Sequence, residues 1–455
     1  MLPAGVRLER RVLAVLVGAI LIATLCFNFV GGNPMAYFLM VTLLLALIWS
    51  LAFRVPIWLP REQPSRLMFV GAFFLLAFAF SLSAQQWVDL KYIGNFLMFF
   101  FFVCLSTVLS RFAAPGNLAK VALLALAGAV LSLGVAIFEV TVLGEPRALG
   151  FGSDPIWAAQ AAMIIGSLSA IGYLSAKPPI PAPLFLLGPI LADLTTWLSG
   201  SRGPLLAAPL LALIILILCG RGARLGFFCL LLAATALLVV LHFVDPATTS
   251  RVLSIATNFR SLLASGEVAD GSMDARLTFW HIGGAAFAAS PIFGYGWSHF
   301  LDAAYSFLAD HGKAFDAGYE GLGGNVHLHA DILDIGVAAG VLGLLAYVLV
   351  LAAPIVDSWT SPRDSQYAGR RMGAIILTVG YAACGLTYLM FGFEFHTTLY
   401  VMLAGILLSF CRDNPPGAPR REAKMALSVV KLDGHAAPAN RQRRSSKVTE
   451  GLDRT

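Results

Sequence analysis

A chain of 455 residues that is 58% hydrophobic and only 12% charged lacks the polar surface needed to cover a water-soluble globule. Its mean hydropathy of +0.80 makes lipid the solvent of most of the chain. The formal net charge of +6 comes from basic residues dispersed between apolar runs and gathered in a polar tail, a pattern that argues against nucleic acid and for membrane topology.

A bilayer core of about 30 Å needs roughly 20 apolar residues per helical crossing. Taken in chain order, runs at 12–30, 35–53, 67–84, 92–109, 121–143, 156–174, 184–198, 204–219, 225–244, 332–356, 372–391 and 398–410 predict about twelve transmembrane helices in an all-α polytopic membrane protein. The first run follows Arg7, Arg10 and Arg11 without a small-residue cleavage pattern, so a retained helix is expected rather than a removed signal peptide. Between helices 9 and 10 the segment 245–330 is too long for a connector and too apolar for a disordered linker, which predicts a large outer loop containing short helices. A transmembrane domain over 1–411 would thus carry this loop as an insertion, and 412–455, rich in Pro, Arg, Lys and Ser, would form a flexible basic cytoplasmic tail near anionic membrane lipids.

With the amino terminus in the cytoplasm, Arg54, Arg61, Arg66, Arg111, Lys120, Lys177, Arg221, Arg224, Arg363, Arg370 and Arg371 fall in inner loops, as the positive-inside rule requires. Both termini are then cytoplasmic. The outer side receives only Lys91, Arg147, Arg202, Arg251, Arg260, Arg276 and Lys313, and such sparse outer cations call for an explanation.

Arg202 sits in a turn of Ser199, Gly200, Ser201, Gly203 and Pro204, close to membrane depth. Glycines permit close backbone approach to a ligand, and Pro204 suits the first position of a helix whose amino-terminal N–H groups favour an anion such as phosphate. The competing reading is an arginine that snorkels to lipid headgroups. Arg276 in DARLTFW and Arg147 in LGEPRALGFGSDP carry the same pair of readings. His329 immediately precedes a helix running inward, whose dipole should disfavour protonation and leave a neutral imidazole able to act as general base. His327 two residues earlier competes for that role, and Asp331 and Asp334 either orient a ring or start the helix. Glu139, Asp193 and Glu394 are charged groups at membrane depth, explained by function or by helix-to-helix hydrogen bonds, while Gly336 and Gly340 fit close helix packing.

The six cysteines are scattered, without a CxxC pair or companion histidines, so neither a disulfide framework nor a metal site is expected. No Walker loop, dinucleotide fingerprint, HExxH or outer acidic cluster occurs, and no cofactor is expected. The absence of an internal repeat weakens a transporter reading. Oligomeric state has no signature in the chain.

Three stretches, SRG at Ser201 to Gly203, R-x3-W at Arg276 and Trp280 with a downstream PxxGxG at 291–296, and HADILDIGVAAGVLG from His329, resemble the O-antigen ligase and polymerase superfamily. RALGFGSDPIWAA from Arg147 is similar to a fourth family segment, with Ile156 where asparagine is usual, and Ala330 stands where the family has His-Asn. These enzymes act at the periplasmic face of the bacterial inner membrane. The resemblance implies an undecaprenyl-diphosphate-linked glycan as donor and a sugar hydroxyl of lipid A-core as acceptor, with His329 as base and Arg276 and Arg202 stabilising the diphosphate. Arg147 and His327 would help bind substrate. Overall size and a short tail are similar to the ligase branch. A polymerase with a lipid-linked acceptor and a transporter or flippase of an anionic solute are the alternatives.

Overall fold

The computed structural model describes residues 4–52, 63–151, 154–244, 257, 260, 261, 264, 271–309 and 327–414. The expected basic tail beyond Asn414, and the remainder of the expected 245–330 loop, lie outside the described residues. Among those described, every regular element is helical.

Helices run over Ala4–Cys26 (α1), Asn28–Ala52 (α2), Pro64–Ser83 (α3), Leu97–Ser110 (α4), Asn117–Thr141 (α5), Pro155–Ser169 (α6), Leu187–Ser199 (α7), Arg202–Leu218 (α8) and Arg221–Val244 (α9). Gly271–Ala289 (α10) and Phe300–Ser306 (α11) follow, then Asp331–Thr360 (α12), Tyr367–Gly385 (α13) and Glu394–Gly405 (α14). A 3-10 segment, Trp87–Phe96, leads into α4. Within the segment expected to hold short helices, α10 has 19 residues and is not short.

Seven helical stretches are long and apolar enough to cross a membrane: Gly32–Ala52, Pro64–Ser83, Trp87–Ser110, Asn117–Thr141, Pro155–Leu174, Ala182–Ser199 and Asp331–Thr360. This is the architecture of a polytopic membrane protein. Helices also occupy the other five of the twelve expected positions, but four are shorter apolar stretches, such as Arg202–Leu218, whose length of roughly 25 Å falls short of the hydrocarbon core. The fifth, α13, carries Arg370 and Arg371.

Lipid offers apolar side chains as good an environment as a neighbouring helix does, so packing and buried hydrogen bonds must hold such a bundle together. Phe69 stacks on Phe102 at 4.2 Å, and Tyr381 meets Tyr400 edge-on at 4.6 Å. The 30-residue α12 packs along α3, α13 and α10. It is broken at Gly340 (φ 61°, ψ −151°), and the 291–296 loop fills the break. Tyr295 N–H donates to the Val337 carbonyl (3.0 Å), Gly296 N–H to Ala338 (2.8 Å) and Val341 N–H to Pro291 (2.7 Å). A Cβ on Gly340 would sit 2.3 Å from the Ile292 carbonyl oxygen, so this glycine admits a loop to the helix rather than serving a helix-helix contact. The PxxGxG motif is thereby a clip that ties the end of α10 to the first half of α12.

Asp357, near the far end of α12, is fully buried and pairs with buried Arg412 at 2.7 Å, and Ser65 donates to its other oxygen. Arg66 donates to Ser106, and Arg370 to Asp364 at 2.8 Å. Asp413 accepts from Ser365 N–H (2.9 Å) and from Gln366 Nε2 (2.8 Å). Arg412 and Asp413, expected to begin a flexible tail at 412, are therefore tied to the folded bundle, Arg412 as a buried guanidinium that requires its carboxylate partner and Asp413 through the hydrogen bonds from Ser365 and Gln366.

Candidate active site

The opposite end of α12 gathers segments far apart in sequence. Between α7 and α8, Gly200 adopts φ 62° and the chain re-enters a helix at Arg202, two residues before the expected start. Pro204 is then the third helical residue, still within the first turn, where a missing N–H costs nothing. Ser201 caps α8 without a side-chain bond to its backbone and donates instead to the Pro155 carbonyl at 3.0 Å.

Arg147 reaches this turn from the loop after α5. Its Nε donates to the Ser199 carbonyl at 2.7 Å and its Nη2 to Ser201 Oγ at 3.4 Å. The loop is held by Glu139, buried on α5, whose carboxylate accepts N–H groups of Leu149, Gly150 and Phe151. Glu139 is thus an anchor for Arg147, while neither Asp193 nor Glu394 lines the site.

Arg147, Arg202 and Arg276 line one cavity of about 320 Å³, with Ile156, Gly200, Ser201, Gly203 and Thr387 completing its wall. Guanidinium groups gathered on one cavity suit an anion with several oxygens, such as a phosphate, because each offers planar, charge-assisted donors. A Cβ on Gly203 would lie 2.5 Å from Thr387 Oγ1. Gly203→Ala is expected to displace the start of α8 and its arginine, lowering turnover by about a hundredfold if the shift approaches 1 Å, and an unchanged turnover number would show that the wall yields instead.

His327 and His329 stand together, their ring centroids 4.2 Å apart. His329 has a left-handed backbone (φ 57°), uncommon for a residue with a β-carbon and a mark of functional sites. Its N–H donates to His327 Nδ1 at 3.0 Å, and Leu328 N–H donates to Asp334 Oδ1 at 2.7 Å. Phe279 stacks on His329 at 5.5 Å and 21°. It follows Arg276 by one turn of α10, so a single helix face supplies both a cation and an aromatic wall. Trp280, singled out by the R-x3-W pattern, is instead 41% exposed.

Burial first, and then the charge of Arg276, depress the His329 imidazole from 6.5 to about 4. Burial, His329 and Arg276 depress His327 to about 3. Desolvation thus does what the sequence argument assigned to the helix dipole, and both rings are neutral at pH 7. Because His327 Nδ1 accepts a hydrogen bond, a neutral His327 carries its proton on Nε2. It has no free lone pair in that state.

Arg147, Arg202 and Arg276 thus share one cavity, which neither histidine lines, while Arg276 is near enough for its charge to act on both rings. Sequence reasoning missed Phe279, whose i+3 spacing from Arg276 was a usable signal, and Thr387, for which distance along the chain leaves none. Among the described residues no cluster of three His, Cys, Asp or Glu side chains could hold a metal ion.

Residues 186–348 match the family model described as O-antigen ligase, which supports membership of the O-antigen ligase/polymerase superfamily. The matched stretch contains Arg202, Arg276, His327 and His329 and excludes Arg147. No curated protein gives a significant match to the chain.

Proposed function

We propose, on the premise of membership of the O-antigen ligase/polymerase superfamily, that this protein transfers a glycan from undecaprenyl diphosphate to a sugar hydroxyl of lipid A-core at the periplasmic face of the inner membrane. The observation that carries the reading is the convergence of Arg147, Arg202 and Arg276 on one cavity, with a neutral imidazole at hand. About twelve crossings with both termini inside would open that cavity to the periplasm, as the distribution of basic loop residues requires.

In this mechanism the acceptor hydroxyl attacks the anomeric carbon in line as His329 removes its proton. The new carbon–oxygen bond forms while the bond to the diphosphate breaks, so the product is inverted. Arg276 and Arg202, assisted by Arg147, hold the charge that grows on the departing diphosphate, and no metal ion is required. His327, with its proton on Nε2, donates to a substrate oxygen.

Arg276→Ala and Arg202→Ala should each slow transfer by about a hundredfold or more. Lysine at either position should restore only part, since an ammonium does not reproduce a bidentate fork. Near-normal transfer by either alanine variant contradicts the diphosphate assignment.

The deciding assay mixes purified protein with undecaprenyl-diphosphate glycan and lipid A-core, without nucleotide or metal, and resolves the products on a gel. A lipid A-core band shifted by one glycan supports the ligase. Longer lipid-linked chains without lipid A-core would identify a polymerase, and glycan crossing a vesicle membrane without a new bond a transporter.

A further inference from the structure

We propose that Tyr388, held by Asp154, is a positioning residue that sets the orientation of the two imidazoles beside the arginine cavity, a role that rests on the glycosyl-transfer reading above. Tyr388 is 7% exposed and presents its ring edge-on to both histidines, with centroids 4.5 Å from His327 (74°) and 5.2 Å from His329 (68°). Phe279 covers the face of His329. The imidazole is thereby bounded by two aromatic rings on different elements, and aromatic contacts of this geometry fix ring planes.

What fixes Tyr388 itself is a pair of carboxylates. Its hydroxyl donates to Asp154 Oδ2 at 3.1 Å, and Asp154 Oδ1 accepts Ile156 N–H at 2.7 Å at the start of α6. On the backbone side, Met390 and Phe391 N–H donate to Asp331 Oδ1 at 2.7 and 3.0 Å, anchoring the same segment to the first residue of α12. The preceding residue, Thr387, lines the cavity. Tyr388 is thus tied at its hydroxyl to α6 and through its backbone to α12, the helix that follows the histidines. Its hydroxyl proton is directed at a carboxylate, so it takes no proton from the acceptor and acts through the imidazoles.

The test compares Tyr388→Phe, Tyr388→Ala and Asp154→Asn in the transfer assay and in an NMR titration of histidine-labelled protein. Tyr388→Phe keeps the ring and loses the tie, and kcat should fall roughly tenfold, the effect of one charge-assisted hydrogen bond, with the donor KM little changed. Tyr388→Ala should lower kcat by about a hundredfold and move the His329 titration from about 4 toward the ordinary 6.5 as water reaches the ring. Asp154→Asn keeps one acceptor oxygen where the carboxylate used two, one for the Tyr388 hydroxyl and one for Ile156 N–H, so its kcat should fall about as far as that of Tyr388→Phe, roughly tenfold. An unmoved His329 titration in Tyr388→Ala, or a loss confined to donor KM, overturns the positioning role. A parent protein that transfers no glycan while His329 still shifts sinks the functional reading instead.

Discussion

His329→Asn is expected to transfer glycan at least a hundredfold more slowly than the parent chain, within the roughly 10²- to 10⁴-fold that a positioned general base contributes. Asparagine is the informative replacement because it tolerates the left-handed backbone found at this position while offering no basic nitrogen. Loss of rate then reports on proton transfer and not on a collapsed turn. His327→Asn, whose amide oxygen can still accept the His329 N–H, should stay within about tenfold of the parent. The reverse order of severity would make His327 the base. Only the neutral imidazole accepts a proton, so the rate should be level from pH 8 down to about 5 and fall as the pH drops through the His329 value of about 4. A decline already complete by pH 6 would mean that the ring is neither buried nor close to Arg276 during turnover.

Asp357→Ala should be the most damaging change away from the cavity. Asp357 is fully buried at the other end of α12 and holds Arg412 at 2.7 Å together with Ser65. Removing one partner leaves an uncompensated buried cation, at a cost of about 3–5 kcal/mol. The expected readout is a sharply lowered melting midpoint and poor recovery of monodisperse protein. Combining Asp357→Leu with Arg412→Leu should be milder than either single change, since no unpaired charge remains. Equal damage from the double variant would show that the pair's shape, and not its charge balance, holds this end together.

The helical character of the chain was legible because lipid leaves a spanning chain few other ways to satisfy its backbone, and apolar runs of sufficient length report that directly. The positions of Arg147, Arg202 and Arg276 were legible for the complementary reason that cations are rare on the expected outer side. Other features turn on relations that no local pattern encodes. Glu139 reads in sequence as an isolated charge at membrane depth, yet it anchors the Arg147 loop through three backbone N–H groups. Gly340 reads as a packing glycine until Tyr295, Gly296 and Pro291 occupy the break it makes. Arg412 reads as tail because its partner Asp357 lies 55 residues earlier, and Tyr388 meets Asp154 across 234 residues.

The account depends on the arginine cavity and the base facing the same outer compartment. Arg202→Cys and His329→Cys, placed singly in a chain whose six native cysteines are replaced by serine, can be treated in intact cells with a membrane-impermeant maleimide small enough to pass the outer-membrane pores. Both cysteines should be modified from outside, and prior binding of the lipid-diphosphate donor should slow both reactions. Modification of one only from outside and of the other only after the inner membrane is opened would contradict it.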